Sequence, residues 1–389
     1  MSSFLHDARR LPGTFWVLAG ATFVNRFGIF VWPFLTLIVT RRGNTAAEAG
    51  WTMMAYSVGA FVAAGLGGWL ADRLGRNVTM ALSAFGSAAC MMALSQAESW
   101  QLLALVAFFT GLLGEAGQPA GSALLQDIVP VEQRITAFAI QRWAINLGWS
   151  LGPATAGFLA ESSFFWLFLV DAITSTFFGV VALLYLPAGR KTDAHRAGWL
   201  TAWSSIKQNR PFLALAASCV CLAWVFRQSS TTFPLAFEQS GLPTRWLGLV
   251  LGLNGVMICL LEMPLTAFTR HLPVRGMIAL GYVLMGGSFL LLVGAGSIEM
   301  FLCCMVVFTL GEMFSFSRQQ AYAASLADED MRGRYSGFTS FAWGIGGILS
   351  SAAGLQLYGW NPALNWWLTA VLGLVAALTL VLGSRRTWR

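Results

Sequence analysis

Gly67-Gly68-Trp69-Leu70-Ala71-Asp72-Arg73-Leu74-Gly75-Arg76 is a short charged turn between two apolar segments, each long enough to cross a bilayer. Gly75 permits a tight turn, and Asp72 suits a helix end. Arg73 and Arg76 mark a cytoplasmic face if the flanks are membrane spans. The plain reading is a polar turn whose arginines set topology. The sharper reading is a conformational latch between two helices, and the rest of the chain has to choose between them.

Working outward, the composition settles the solvent. The chain has 389 residues, 57% hydrophobic and 11% charged, where a soluble domain carries about 25% charged residues. Apolar runs of about 20 residues recur from end to end, so the fold class is an all-α membrane protein. The net charge of +7 is then a matter of topology and gives no sign of a nucleic-acid partner. The first apolar segment is longer than the core of a signal peptide and lacks a cleavage site, so it stays as an anchor. All six cysteines lie inside apolar runs and read as small buried residues. His6, His195 and His271 fall in polar segments. That excludes a buried histidine relay and leaves no metal site or cofactor motif. The Asn77-Val78-Thr79 sequon lies on the predicted cytoplasmic side and is silent about glycosylation.

Twelve spans are predicted, at 13–39, 51–71, 78–97, 100–126, 135–160, 164–186, 211–237, 246–268, 277–296, 300–326, 335–358 and 363–383. An even count puts both termini on one side. The head, the even-to-odd loops and the tail hold seventeen of the 24 lysines and arginines, among them Arg73, Arg76, Arg134, Arg270, Arg275 and Arg334. The opposite loops hold Arg41, Arg42 and Arg245. The positive-inside rule therefore places both termini in the cytoplasm.

The longest hydrophilic stretch, 187–210, is basic, and Trp199, Leu200, Trp203 and Ile206 recur at helical spacing. It reads as a cytoplasmic linker carrying a short helix on the membrane surface. It divides the chain into a six-helix half at 1–186 and another at 211–389. The halves repeat. Arg26 and Arg227 are 201 residues apart, as are Pro33 and Pro234. Gly111/Gly311, Arg134/Arg334, Phe138/Phe338 and Trp143/Trp343 keep a spacing of 200. Several coincidences at near-constant offset argue for a parallel duplication, a transporter architecture with its site near the midplane between the halves.

Three motifs carry a family resemblance. Gly68 to Arg76 resembles the signature loop between spans two and three of the major facilitator superfamily. Asn146-Leu147-Gly148-Trp149-Ser150-Leu151-Gly152-Pro153-Ala154-Thr155-Ala156-Gly157 resembles the glycine-proline motif of antiporters on span five, with Gly148, Gly152, Pro153 and Gly157 as its anchors. Gly311-Glu312 with Arg332-Gly333-Arg334-Tyr335-Ser336-Gly337, and Leu253-Asn254-Gly255, resemble the matching regions of the second half. Over nearly its whole length the chain is most similar to the bacterial drug:proton antiporter branch. Two departures stand out. Ala107 replaces an arginine often found on span four, which bears on the usual proton-coupling scheme. The second-half loop has decayed to Thr269-Arg270-His271-Leu272-Pro273-Val274-Arg275.

Eight charges lie inside the spans: Arg26, Arg142, Arg227 and Arg318 against Glu115, Asp171, Glu262 and Glu312. An ionised side chain at a helix centre costs roughly 2.5–3.5 kcal/mol even on lenient insertion scales, so such residues are expected to pair or to work. Arg26, Glu115, Arg227, Glu262 and Glu312 are deep. Arg142 and Asp171 lie nearer span ends, where snorkelling or a structural pair is the expectation. The resemblance implies that spans one, four, seven and ten line the cavity, setting Arg26 opposite Glu115 and Arg227 opposite Glu312. The competing reading is a set of static salt bridges. Only the carboxylates can trade a proton, so Glu115, Glu312 and then Glu262 are the coupling candidates. Asn25, Gln118, Arg142, Asn146, Gln228, Asn254 and Arg318 are candidates for the substrate cavity, although a lone intramembrane amide is more often glue between helices.

The function expected from this is proton-coupled efflux of amphiphilic or drug-like small molecules by alternating access, in a monomer surrounded by lipid. Import of a polar nutrient or peptide, or lipid flipping, uses the same fold. A membrane enzyme is disfavoured, because no nucleotide loop and no metalloprotease or cysteine-histidine motif is present. The resemblance also implies that Asp72 meets the start of span eleven near Arg334. That makes Gly68, Asp72, Arg73, Gly75, Arg76 and Arg334 the parts of the latch.

Overall fold

The computed structural model describes residues 8–189, 205–294, 296–327 and 331–383, without the side chains of Ile135, Arg332 and Gly333. Most of the 187–210 linker, with the expected surface helix at Trp199 and Trp203, lies outside the described residues. So do His6 and His195.

The described residues form helices joined by short turns. They are α1 Gly13–Phe27, α2 Leu35–Arg41, α3 Ala46–Leu74, α4 Arg76–Gln96, α5 Trp100–Ile128, α6 Arg134–Ser162 and α7 Phe165–Tyr185. After the linker come α8 Arg210–Gln228, α9 Thr232–Gln239, α10 Thr244–Thr269, α11 Val274–Ser288, α12 Ile298–Ser325, α13 Arg332–Leu349, α14 Leu355–Trp360 and α15 Pro362–Gly383. Local chemistry sets several starts. Thr45 and Glu48 form a reciprocal capping box before α3, with Thr45 N–H donating to Glu48 Oε2 at 2.7 Å and Glu48 N–H to Thr45 Oγ1 at 3.3 Å. Asn209 caps α8 through Oδ1, which accepts from Phe212 N–H at 3.1 Å, with Pro211 in the first turn.

Eleven segments among the described residues are long and apolar enough to cross a membrane. Helix α6 is the twelfth. It has 29 residues, and Gln141, Arg142, Asn146 and its glycines dilute its apolar content. The first and seventh spans, expected as single helices, are each two. Between α1 and α2 the backbone leaves the helix at 28–31 and re-enters through a 3-10 turn at Trp32–Phe34. Between α8 and α9 it breaks at 229–231. Pro33 and Pro234 sit just past these breaks, where a missing N–H and a fixed φ suit the start of a new helical segment. The thirteenth helix runs into a π-helical turn at Ser350–Gly354 before α14.

Cα packing divides the chain into two units: 1–44, 55–193 and 243–259 in one, and 45–54, 194–242 and 260–389 in the other. In the first unit α4 packs between α5 and α7, and α1 packs on α6 and α7. Its core includes Phe15, Leu18, Met80, Leu124, Leu125 and Leu186. In the second unit α11 packs on α12 and α15, and α8 packs on α13 and α15. Aromatic side chains fill that unit, with Phe289 stacked on Trp366 at 5.5 Å and Phe226 edge-on to Trp343 at 5.8 Å. With apolar lipid as the alternative partner, shape fit and internal hydrogen bonds hold such helices together.

Candidate functional site

The first unit contains a cavity of about 260 Å3, built around the break in the first span. Helix α1 ends at Phe27, and Gly28 follows because nothing larger fits there. A Cβ on Gly28 would fall on the Thr174 side chain of α7. The four residues after Phe27 cannot complete a helical ladder, so their N–H groups need other acceptors. Phe30 N–H donates to the Gly28 carbonyl at 2.7 Å. Val31 of this open stretch lines the cavity together with the carboxylate of Asp171 on α7. The Ser175 hydroxyl donates to the same carboxylate at 3.4 Å, and Asn25 Nδ2 donates to Ser175 Oγ at 3.3 Å. Asp171 is 2% exposed. Its nearby positive group is Arg26, whose Nε is buried without a hydrogen-bond partner.

Glu115 stands on α5 in the same cavity. Its Oε1 accepts from Tyr56 Oη at 3.0 Å, and Gln118 Nε2 donates to Oε2. The Tyr56 ring lies on Trp32, with centroids 3.9 Å apart, so the aromatic pair and the carboxylate form one wall. On another wall Gln141 Nε2 donates to Thr22 Oγ1 at 2.9 Å, next to Arg142. Leu18, Met80, Met91, Phe138 and Phe178 supply apolar lining. A few convergent polar groups on an apolar surface are what a small-molecule site looks like.

The glycine-proline stretch of α6 holds this site against α1. A Cβ on Gly148 would stand 2.7 Å from Arg26 Cβ and 2.8 Å from Phe27 N, and one on Gly152 would stand 2.6 Å from the Phe27 carbonyl oxygen. Only glycine lets α6 approach the end of α1 so closely. Farther along α6, past Pro153, Gly157 meets Gly248 of α10, and Ser150 Oγ donates to the Gly252 carbonyl at 3.1 Å.

Of the residues singled out in the sequence, the cavity brings together Asn25, Arg26, Glu115, Gln118 and Arg142. Asn146 is half-buried on α6 and is not part of its lining. In the second unit, Glu262 on α10 accepts from Ser317 Oγ of α12 at 2.6 Å. Arg318 donates to the Phe314 carbonyl at 3.2 Å and to Thr269 Oγ1. Arg227 lies against Gly347 of α13, its Nη2 3.2 Å from where a Cβ would be. Gln228 is fully buried. It donates to Ser350 Oγ at 3.0 Å and accepts from Asn365 Nδ2 at 3.1 Å and from Thr232 Oγ1. Glu312 on α12 and Asn254 on α10 are half-buried.

Sequence reasoning set Asp171 aside as a residue near a span end, and it did not single out Tyr56, Thr22 or Ser175. For Asp171 the signal was present, since an intramembrane carboxylate is costly wherever it sits. Its burial to 2% exposure comes from tertiary packing, which distance along its own helix does not show.

The signature loop has a built geometry. Gly75 adopts φ +93°, a conformation that favours glycine, between α3 and α4. Asp72 therefore lies within the last turn of α3, exposed, and Gly68 lies one turn earlier. Arg73 sits over the Trp69 ring at 4.5 Å. Arg76 is buried, with N–H donating to the Ala188 carbonyl at 2.8 Å and Nε 2.6 Å from Asp127 Oδ2 at the end of α5. Arg334 is half-buried in the first turn of α13.

Comparison with known proteins agrees with this architecture. The family model described as Major Facilitator Superfamily matches residues 18–351. The uncharacterized MFS-type transporter YqjV of Bacillus subtilis is 25% identical over 90% of this chain and 87% of its own length. A Na(+), Li(+), K(+)/H(+) antiporter of Planococcus maritimus is 24% identical, over 93% of this chain and 92% of its own. Multidrug resistance protein MdtH of Salmonella typhi is 22% identical, over 97% and 95%. Among solved structures, the nucleoside transporter NupG superposes with a TM-score of 0.82 at 14% identity, covering 97% of this chain and all of that one. That likeness is one of fold.

Proposed function

The chain belongs to the Major Facilitator Superfamily, so it is a multi-pass membrane transporter, and we propose that it exports amphiphilic small molecules in exchange for protons by alternating access. The family works on small solutes and coupling ions and carries out no covalent chemistry on its substrate. The observation that carries the proposal is the cavity of the first six helices. Its apolar lining suits an amphiphilic solute, and it gathers Arg26, Arg142, Glu115 and Asp171 where lipid would otherwise make charge costly. The similarity to MdtH and to a cation/proton antiporter supports export coupled to protons.

In this reading the six-helix halves, 1–186 and 211–389, rock about a site near the midplane, with the 187–210 linker and both termini in the cytoplasm of a bacterial cell. Glu115, Glu312 and Glu262 are coupling carboxylates, and Arg26 and Arg227 are their positive counterparts. The loop from Gly68 to Arg76 is the latch. Arg76 fixes it to Asp127, and Asp72 answers to Arg334 at the start of α13, favoured by the positive end of a helix. The working unit is a monomer.

The test uses purified protein in liposomes with ethidium as the probe. Vesicles with an acidic lumen accumulate ethidium, and nigericin abolishes the accumulation. Accumulation that ignores nigericin overturns proton coupling. Movement of a fluorescent lysolipid without ethidium makes the protein a lipid flippase, and uptake driven in the opposite direction makes it an importer. The Planococcus relative adds one panel. Proton movement evoked by Na+, Li+ or K+, and by no dye, would make this chain a cation exchanger.

A further inference from the structure

We infer that the cavity of the first unit takes a compact dipolar solute, one that carries an ammonium group and a carboxylate at opposite ends of an aromatic or apolar body. The inference rests on the transporter reading above and names the class of solute that its site recognises.

The two kinds of charge stand on different walls. Arg26 lines the cavity from the end of α1, at the edge of the break. Gly148 of α6 fixes its base, since a Cβ there would stand 2.7 Å from Arg26 Cβ. Arg142, also of α6, adds a second guanidinium to the lining. Arg26 Nε is buried without a hydrogen-bond partner. A buried donor left unsatisfied costs free energy, and a guanidinium is a planar fork that matches a carboxylate with two parallel bonds. The other nitrogens of that fork are suited to a solute's carboxylate, whose charge compensates the whole group.

Glu115 supplies the opposite sign, from α5. Its Oε1 accepts from Tyr56 Oη at 3.0 Å and its Oε2 from Gln118 Nε2. An ionised carboxylate has about four acceptor positions, so both oxygens can take a further donor. The Tyr56 ring, with Trp32 against it at 3.9 Å, stands beside the carboxylate. An acid next to two electron-rich rings suits an ammonium group, through charge and through the ring faces. Leu18, Met91 and Phe178 give the same cavity apolar surface for the body of the solute.

Charge balance points the same way. The lining holds two guanidiniums, Arg26 and Arg142, and two carboxylates, Glu115 and Asp171. Asp171 is 2% exposed, so Glu115 is the acid that a solute reaches. A dipolar solute brings no net charge into a low-dielectric interior. A lone cation or anion leaves one sign in excess, and uncompensated charge is costly there. A cation also leaves Arg26 unanswered, and an anion leaves Glu115 and its rings unanswered. At about 260 Å3 the cavity lies just below the usual range of ligand sites, which favours a small body. Ethidium, the probe of the export test, is a cation and uses the Glu115 wall alone.

The experiment is isothermal titration of the purified full chain in detergent with three matched compounds. They are 4-(aminomethyl)benzoate, a zwitterion with its charges at the two ends of a ring, its methyl ester, a cation, and its N-acetyl derivative, an anion. The zwitterion is expected to bind about tenfold or more tightly than either of the others, each of which has lost one charge-assisted contact. Arg26→Gln narrows the gap between zwitterion and ester to under about twofold and leaves the gap to the N-acetyl compound open. Glu115→Gln does the converse. A merely structural role weakens all three compounds alike and moves neither ratio. Three compounds that bind alike in the wild type, no binding of any of them, or variants that move neither ratio overturn the inference. Should a variant fail to fold, the wild-type ratios decide alone.

The ethidium assay separates the two levels. A wild type that prefers the zwitterion but moves no ethidium against a proton gradient defeats the export reading and leaves the dipolar site standing. A wild type that exports ethidium while binding the three compounds alike defeats the dipolar site and leaves export standing.

Discussion

Each half of the chain opens with a broken helix, and the two breaks are closed with different chemistry. Beside the break between α1 and α2 stand a carboxylate, Asp171, and a guanidinium, Arg26. Between α8 and α9 they are amides and hydroxyls: Gln228, Asn365, Ser350 and Thr232. Asn365 stands on α15, the last helix of its half, as Asp171 stands on α7, and each reaches back to the first span. One architecture therefore serves two purposes. The neutral network has no group that titrates, so its bonds are the same at any pH and it acts as a fixed weld. The first break has ionisable groups beside it instead.

The largest effect is expected from giving the weld a charge. Asn365→Asp places a carboxylate at a fully buried position beside an amide, and an unpaired buried charge costs about 3–5 kcal/mol. The charge exists only on the ionised form, so the loss of stability is greatest at alkaline pH and shrinks as pH falls. Unfolding in detergent across a pH series measures it, and a variant as stable as the parent at alkaline pH would show that the second break also tolerates charge.

Next come the glycines that bring a later span against each arginine. At Gly148 an added Cβ meets Arg26 Cβ at 2.7 Å and the backbone nitrogen of Phe27 at 2.8 Å, atoms that cannot step aside, so Gly148→Ala is expected to cost about 2 kcal/mol by overpacking. Thermal unfolding in detergent shows the loss, with reduced ethidium accumulation beside it.

The two loops sharpen the contrast further. Arg76 is pinned to Asp127 with side chains only 10% and 17% exposed, whereas Arg270, in the corresponding second-half loop, is exposed. Asp127→Asn is expected to cost about 1–2 kcal/mol, as the loss of a charge-assisted bond with some solvent access. Arg270→Gln is expected to stay within about 0.5 kcal/mol, as a surface change does. Chemical unfolding of both variants checks the difference.

Smallest is Gly347→Ala, the second-half partner of the Gly148 change. Its nearest neighbour is Arg227 Nη2 at 3.2 Å, the end of a flexible side chain, so a cost under about 0.5–1 kcal/mol follows. Equal penalties at Gly148 and Gly347 would erase the distinction between a contact with backbone and a contact with a movable side-chain end.

Much of this was legible in the sequence, and the rest was hidden for physical reasons. Apolar runs and arginine counts define the spans because lipid is an unforgiving solvent. The Arg-x6-Pro repeat, from Arg26 to Pro33 and from Arg227 to Pro234, marks each broken span. It does not show that the helix opens between the two residues, because a proline inside an apolar run often only bends it. The glycines of α6 read as a close-packing face, yet their partners, Arg26 and Phe27, lie more than a hundred residues away, and no local pattern names them. Arg76 was legible as a charge at a turn, while its bond to Asp127 is a tertiary fact. Asp171 was legible as a charge near a span end, while its burial inside the protein is again a tertiary fact.

The division of α3 and α10 between the two packing units has a consequence for how the chain can be taken apart. Residues 243–259 pack with the first unit, and 45–54 with the second. A gene cut within the linker would give two fragments, each missing a piece of its own unit that the other encodes. Neither fragment alone holds all of its own unit's packing, so the two are expected to reach that packing only when produced together.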